Sequence, residues 1–158
     1  MIKKKNIFYF FFILLLFLLD RISKIYAIKF LGTIENQKII VSEFLSLNLI
    51  WNRGIGFGLF SLDEKIYYNI LTIIIILVTL IIFWLITKTT RIEKFSFMMI
   101  FSGSLGNIFD RIFYASVPDF LDIHYKNFHW FIFNVADIFI TLGVTLLILI
   151  EISPKKKL

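Results

Sequence analysis

The chain has 158 residues, of which 59% are hydrophobic, and a formal net charge of +6. A soluble domain is nearer half apolar, with its apolar residues in short periodic runs, whereas here they form long blocks. The absence of cysteine excludes a disulfide, a thiolate nucleophile and a cysteine metal site.

Four of the apolar blocks are long enough to cross a bilayer as helices, which takes about 20 mostly apolar residues. They cover roughly 7–28, 67–87, 95–113 and 131–150, and the segments at roughly 29–66 and 114–130 then lie outside. We therefore expect an all-α membrane protein with a single domain over 1–158. It has four transmembrane helices, with a small extracytoplasmic β-sheet and loop on the outer face.

The basic residues predict which way the chain is oriented. They cluster at the start of the chain, between the second and third blocks, and at its end (Lys3–Lys5; Lys88, Arg91 and Lys94; Lys155–Lys157). With four spans, all three clusters fall on one side, which the positive-inside rule identifies as cytoplasmic for both termini. The basic excess is therefore a topology signal and does not indicate nucleic-acid binding.

The first outer segment carries a strand pattern. Leu45, Leu47, Leu49 and Trp51 alternate with more polar residues, and this period of two predicts a half-buried strand. The glycines that follow are not the G-x-G-x-x-G fingerprint of a dinucleotide site. We expect a sheet on the membrane surface that could receive an extended peptide.

Acidic residues on three separate spans are predicted to share one depth. At about 1.5 Å of rise per residue, Asp20 and Asp110 lie about 20 and 22 Å from the inner ends of their spans, and Asp137 about 9 Å from its outer end. Asp119 and Asn52 fall just above them. Charge inside a bilayer is costly and indicates function, so the shared depth predicts a single site.

Paired carboxylates suit peptide hydrolysis without a metal or cofactor. Two close carboxyl groups hold one proton near neutral pH, so one can activate water while the other polarises a carbonyl. The residues alone leave open whether Asp110 or Asp119 partners Asp137. No metal site is predicted, because no H-E-x-x-H motif exists and His124 and His129 lie five apart in a predicted loop. The alternative is a non-enzymatic transporter or ion pathway with buried acids, although no repeat or interrupted helix supports it.

Five ordered motifs give the chain a resemblance to a known family. They are Asp20-Arg-Ile-Ser-Lys24, Asn52-Arg-Gly54-Ile-Gly-Phe57, Gly103-Ser-Leu-Gly106-Asn107-Ile-Phe-Asp110-Arg111, Val117-Pro-Asp119-Phe120 and Phe133-Asn134-Val-Ala136-Asp137. Over essentially its whole length the chain resembles the bacterial lipoprotein signal peptidases, the type II signal peptidases. It departs from their pattern at Ser102, where the family usually has glycine, and at Gly56, where it usually has alanine.

The resemblance implies an aspartic endopeptidase of the bacterial inner membrane. Its substrate would be a prolipoprotein carrying diacylglycerol on a cysteine, and cleavage would come just before that cysteine. The expected partners are this substrate and membrane lipid, with no nucleic acid, and the expected state is a monomer.

The family pattern also assigns roles to individual residues. It implies that Asp119 and Asp137 are the catalytic pair, with Asp110 in support. For the other motif residues we make our own assignments. We expect Asn52, Asn107 and Asn134 to orient the substrate or the pair, Arg111 to neutralise negative charge near Asp110 or the substrate, and Asp20 and Lys24 to brace the first helix. Gly54, Gly103 and Ala136 complete the supporting residues.

Overall fold

The computed structural model describes residues 4–55, 60–61, 65–126 and 128–153. Four α-helices make up most of it: α1 (Lys4–Leu31), α2 (Lys65–Lys88), α3 (Arg91–Tyr114) and α4 (Val135–Ile152). A short 3-10 turn (Glu35–Gln37) follows α1. The strands are β1 (Lys38–Ile40), β2 (Leu45–Asn52), β3 (Gly54–Ile55), β4 (Phe60–Ser61), β5 (Val117–Tyr125) and β6 (Phe128–Phe133).

Two of the helices are long and apolar enough to cross a membrane by length and composition: Ile66–Lys88 and Val135–Ile152. Large apolar side chains on α2, such as Leu77, Leu80 and Trp84, are more than half exposed, as expected for a surface that faces lipid. Helices α1 and α3 cover the predicted blocks, and the crossing of the bilayer by all four helices stays a prediction.

Helix α3 is central, since it contacts each of the other three helices. Small residues permit this close packing. A methyl group at Gly103 would meet the Ala136 carbonyl oxygen and lie 2.8 Å from Ile140 Cγ1, and one at Gly106 would meet the Asp20 carboxylate. These two glycines therefore let α3 approach α4 and α1 at the level of the acidic residues.

The main sheet is antiparallel, with the order β1-β2-β5-β6, and β3 pairs with β4 separately. Ala27 and Leu31 at the end of α1 pack against Leu49 of β2 and Phe120 of β5, which joins the sheet to the helices. The predicted strand at 45–52 is confirmed. A bulge between Leu47 and Ile50 interrupts its alternation, and Trp51 is therefore 39% exposed instead of continuing the buried face.

The prediction for the chain between the third and fourth helices is wrong in two respects. The segment at 114–130 is largely the β5–β6 hairpin and not a loop, and residues 131–133 belong to β6, so the fourth helix begins at Val135 instead of 131. Aromatic and β-branched residues favour strands, and Asn134 then stops the strand by capping α4. Gly56 and Phe57 of the second motif lie outside the described residues.

Candidate active site

Asp137 is held in the first turn of α4. The Asn134 side chain accepts a hydrogen bond from the Asp137 backbone N–H (3.2 Å), and Asp137 Oδ2 accepts one from the Asn134 backbone N–H (3.1 Å). This reciprocal pair is a capping box, which satisfies otherwise unpaired donors at a helix start. Asn107 of α3 donates its side-chain amide to Asp137 Oδ1 at 2.8 Å. Both carboxylate oxygens are thus oriented.

Asp119 approaches from β5 and is held by two asparagine amides. Asn134 donates to Asp119 Oδ1 at 2.6 Å, and Asn52 of β2 donates to Oδ2 at 2.9 Å. The Gly54 backbone N–H in turn donates to Asn52 Oδ1 at 2.8 Å, which orients the Asn52 amide. Asn134 therefore bonds to both aspartates.

The environment favours a protonated Asp119. Its side chain is 3% exposed, and burial, followed by the negative charge of Asp137, raises its pKa from 3.8 to about 7. The hydrogen bonds from Asn134 and Asn52 act in the opposite direction, since they favour the charged carboxylate.

One cavity of about 290 Å³ brings these groups together. Its lining includes both aspartates, all three asparagines and a cation, with apolar residues around them: Asn52, Ile75, Ser104, Asn107, Arg111, Val117, Asp119, Asn134, Asp137 and Ile140. A neighbouring cleft of about 380 Å³ is apolar and shares Asp137 with the first. The cavity thus presents two carboxyl groups beside an apolar surface.

A buried charge cluster lies next to this cavity. Asp110 is fully buried and accepts hydrogen bonds from Arg21 (2.6 and 2.9 Å) and from Lys24 Nζ (2.7 Å). Lys24 also pairs with Asp20 at 3.0 Å, as their spacing of four predicted. The cluster contains two acids and two bases, so its charge is balanced.

Two hydrogen bonds connect the charge cluster to the cavity. Lys24 Nζ donates to Asn107 Oδ1 at 2.9 Å, and the amide of Asn107 reaches Asp137. Asp20 Oδ1 accepts from the Ala136 backbone N–H at 2.9 Å, at the start of α4. The cluster therefore positions α3 and α4. Gly103 and Ala136 allow the two helices to come into close contact.

The candidate Arg111 behaves differently from its sequence expectation, and the sequence analysis missed one member of the charge cluster. Arg111 forms no ion pair with Asp110 in the described part of the chain, because Arg21 and Lys24 occupy that carboxylate. Arg111 instead lines the cavity, its Nη1 donates to the Asn107 carbonyl at 3.1 Å, and its buried Nε has no hydrogen-bond partner among the described residues. Arg21 was missed as a member of the cluster, although a charge within an apolar block signals such a role.

The chain is similar to known proteins over most of its length. The family model described as Signal peptidase (SPase) II matches residues 12–153. The chain is 47% identical to a lipoprotein signal peptidase of Pelagibacter ubique over 141 residues, covering 89% of this chain and 85% of that protein. It is 38% identical to one of Clostridium tetani, covering 86% of each.

A solved structure described as a bacterial membrane enzyme superposes with a TM-score of 0.74 at 26% identity, covering 95% of this chain and 92% of that one. The family model extends over both the charge cluster and the cavity. The chain belongs to the signal peptidase II family of proteases.

Proposed function

We propose that this protein is an intramembrane aspartic endopeptidase that removes the signal peptide from diacylglyceryl-modified prolipoproteins. Cleavage falls just before the lipidated cysteine, and Asp119 and Asp137 activate the water. The observation that carries the proposal is that these two carboxylates line one cavity, with the pKa of Asp119 raised to about 7.

In the proposed mechanism the two carboxyl groups hold one proton at neutral pH, and this proton is on Asp119 when Asp137 accepts a proton from water. Asp137 takes a proton from water as the water oxygen attacks the scissile carbonyl carbon, while Asp119 donates its hydrogen bond to the carbonyl oxygen. When the C–N bond breaks, a carboxyl proton moves to the leaving amine. The paired acids then return to their starting state with one proton between them.

The supporting residues fix this geometry. Asn52 and Asn134 orient Asp119, while Asn107 and the Asn134 backbone orient Asp137. Arg111 lines the cavity, so this cation can contact the substrate at the cavity wall. Asp110 supports the reaction indirectly, because its carboxylate is occupied by Arg21 and Lys24.

Substrate lipid accounts for the apolar cleft beside Asp137. Its lining is almost entirely apolar: Phe131, Ile132, Phe133, Ile138, Ile140, Thr141 and Leu142 accompany Asp137. Acyl chains held there would keep the scissile bond at the level of the aspartates. We also propose that the protein is a single inner-membrane domain with four spans and cytoplasmic termini, and that it acts as a monomer.

The test is a gel-shift cleavage assay in liposomes with a diacylglyceryl-modified prolipoprotein. We expect wild type to cleave it without sensitivity to chelators, and to leave the unlipidated precursor intact. Asp119→Asn and Asp137→Asn should each reduce cleavage by at least about 10³-fold, since each removes one half of an acid–base pair. As a control, Glu43→Gln should retain full activity, because Glu43 is an exposed acid on the same side of the membrane as the aspartates.

Asp110→Asn separates the two candidate partners of Asp137. If Asp110→Asn is inactive and still folded while Asp119→Asn cleaves normally, the assignment of Asp119 is wrong. If folded wild type never cleaves the lipidated substrate, the endopeptidase proposal itself fails.

A further inference from the structure

A second polar cluster lies on the main sheet, outside the lining of the catalytic cavity. It consists of Asp122 and His124 of β5 and His129 of β6. Asp122 and His124 are two positions apart, so their side chains point to the same face of the strand. The two histidines are direct partners in the strand register.

The register places the two histidines together by means of a bulge. Ile123 pairs with Phe131, so a regular ladder would pair His124 with Trp130. The register instead shifts between Ile123 and His124, and His129 takes that place. Bulges commonly re-aim side chains at functional positions. The separation of the histidines by five residues argues against a metal site in a loop. That argument does not hold for the hairpin, where the strand register brings the two side chains together.

The side chains converge at short range. His129 Nδ1 lies 2.8 and 2.9 Å from the two Asp122 carboxylate oxygens, and the histidine rings stack with centroids 5.2 Å apart. One ligand atom from each of the three residues lies within 4.8 Å of the others. Ligand atoms around tetrahedral zinc, with bonds of about 2.0–2.2 Å, lie roughly 3.4 Å apart, so the ligand atoms farthest apart must approach by at most about 1.4 Å.

We propose that Asp122, His124 and His129 form a binding site for a divalent metal ion of the zinc class. Two imidazoles and one carboxylate are ligands that zinc accepts, and the fourth position is available to water. The His129 side chain is 41% exposed, which gives an ion access from solvent, whereas Asp122 is fully buried.

The surroundings of Asp122 fit this assignment. Ser46 Oγ of β2 donates to Asp122 Oδ2 at 2.9 Å, a contact that orients a ligating carboxylate. Lys38 Nζ lies 3.9 Å from the same oxygen on a long, partly exposed side chain, so an incoming ion can displace it. Both histidines of the chain belong to this cluster, and the chain has no cysteine. All the imidazole ligands that the sequence offers to zinc are therefore at this one place.

A bound ion would join β5 to β6. Asp119 lies three residues before Asp122 on β5, and Asn134 directly follows β6. The metal is structural in this proposal and takes no part in peptide cleavage, so its test is independent of the proposed function.

The experiment titrates Zn²⁺ into metal-free, untagged full-length protein in detergent, with calorimetry and a competing chromophoric chelator as readouts. We expect one ion per chain with a micromolar or tighter dissociation constant. His124→Gln and His129→Gln should each weaken binding by at least about tenfold, and Glu35→Gln should not change it. Equal affinity for wild type and the double histidine variant would overturn the proposal.

Cobalt provides a readout that does not depend on any variant folding. Wild type loaded with Co²⁺ should show the visible absorption of a tetrahedral site with nitrogen and oxygen ligands. A spectrum of hexaaqua cobalt at saturating protein would overturn the site, because the three residues would then form only a hydrogen-bonded ion pair.

Discussion

Replacing Asp119 with asparagine should change stability in opposite directions at low and high pH. The folded-state pKa of Asp119 is about 7, against 3.8 for an unperturbed aspartate. The unfolded chain therefore ionises first as pH rises, and the folded state loses relative stability between about pH 4 and pH 7. Three units at 1.36 kcal/mol each amount to about 4 kcal/mol. The side chain is 3% exposed, so solvent screening is small.

Asp119→Asn removes this ionisation cost but also disturbs the hydrogen bonds from Asn52 and Asn134, at roughly 1 kcal/mol each. That second loss is the same at every pH. We therefore expect the variant to be less stable than wild type at pH 4 and more stable at pH 8, with a swing of about 4 kcal/mol between the two. For a chain of this size the swing corresponds to about 8–16 °C in the unfolding midpoint.

Thermal unfolding in detergent at the two pH values measures this swing directly. Glu43→Gln, which removes an exposed carboxylate, should show no such crossover. If the difference in midpoint between Asp119→Asn and wild type is the same at pH 4 and pH 8, then burial and the neighbouring Asp137 do not raise the Asp119 pKa, and the argument for a shared proton fails.

Three further outcomes follow from the structure. Cleavage measured as kcat/KM should fall as pH rises above about 7, because Asp119 then loses the proton that polarises the carbonyl. Asn52→Ala removes a hydrogen bond that lowers the Asp119 pKa, so the fall in kcat/KM at alkaline pH should move to higher pH and the maximal rate should be lower. A fall that moves to lower pH would contradict the assigned contact. Gly143→Ala puts a methyl group 2.6 Å from the Ser96 carbonyl oxygen between α3 and α4, so denaturant unfolding should show a loss of about 1–3 kcal/mol, whereas unchanged stability would show that the two helices can separate without cost.

Local features of the sequence predicted most of the architecture. The four helices follow from the length of the apolar blocks, and β2 follows from alternation at 45–52, because both patterns repeat over neighbouring residues. The pairing of Asp20 with Lys24 was also predictable, since a spacing of four is set by the helix itself. The hairpin at 117–133 was harder to recognise, because its aromatic run reads equally well as the start of a span.

Only the tertiary structure decided how the charged groups pair. Depth along each span predicted that Asp20, Asp110 and Asp137 converge, but it left open whether Asp110 or Asp119 partners Asp137. Arg21, 89 positions away in the chain, binds Asp110, and Asp119 lines the cavity with Asp137. The positions of Asp119 and of the two histidines likewise depend on strand register. Such contacts form between segments distant in sequence, so no local periodicity encodes them.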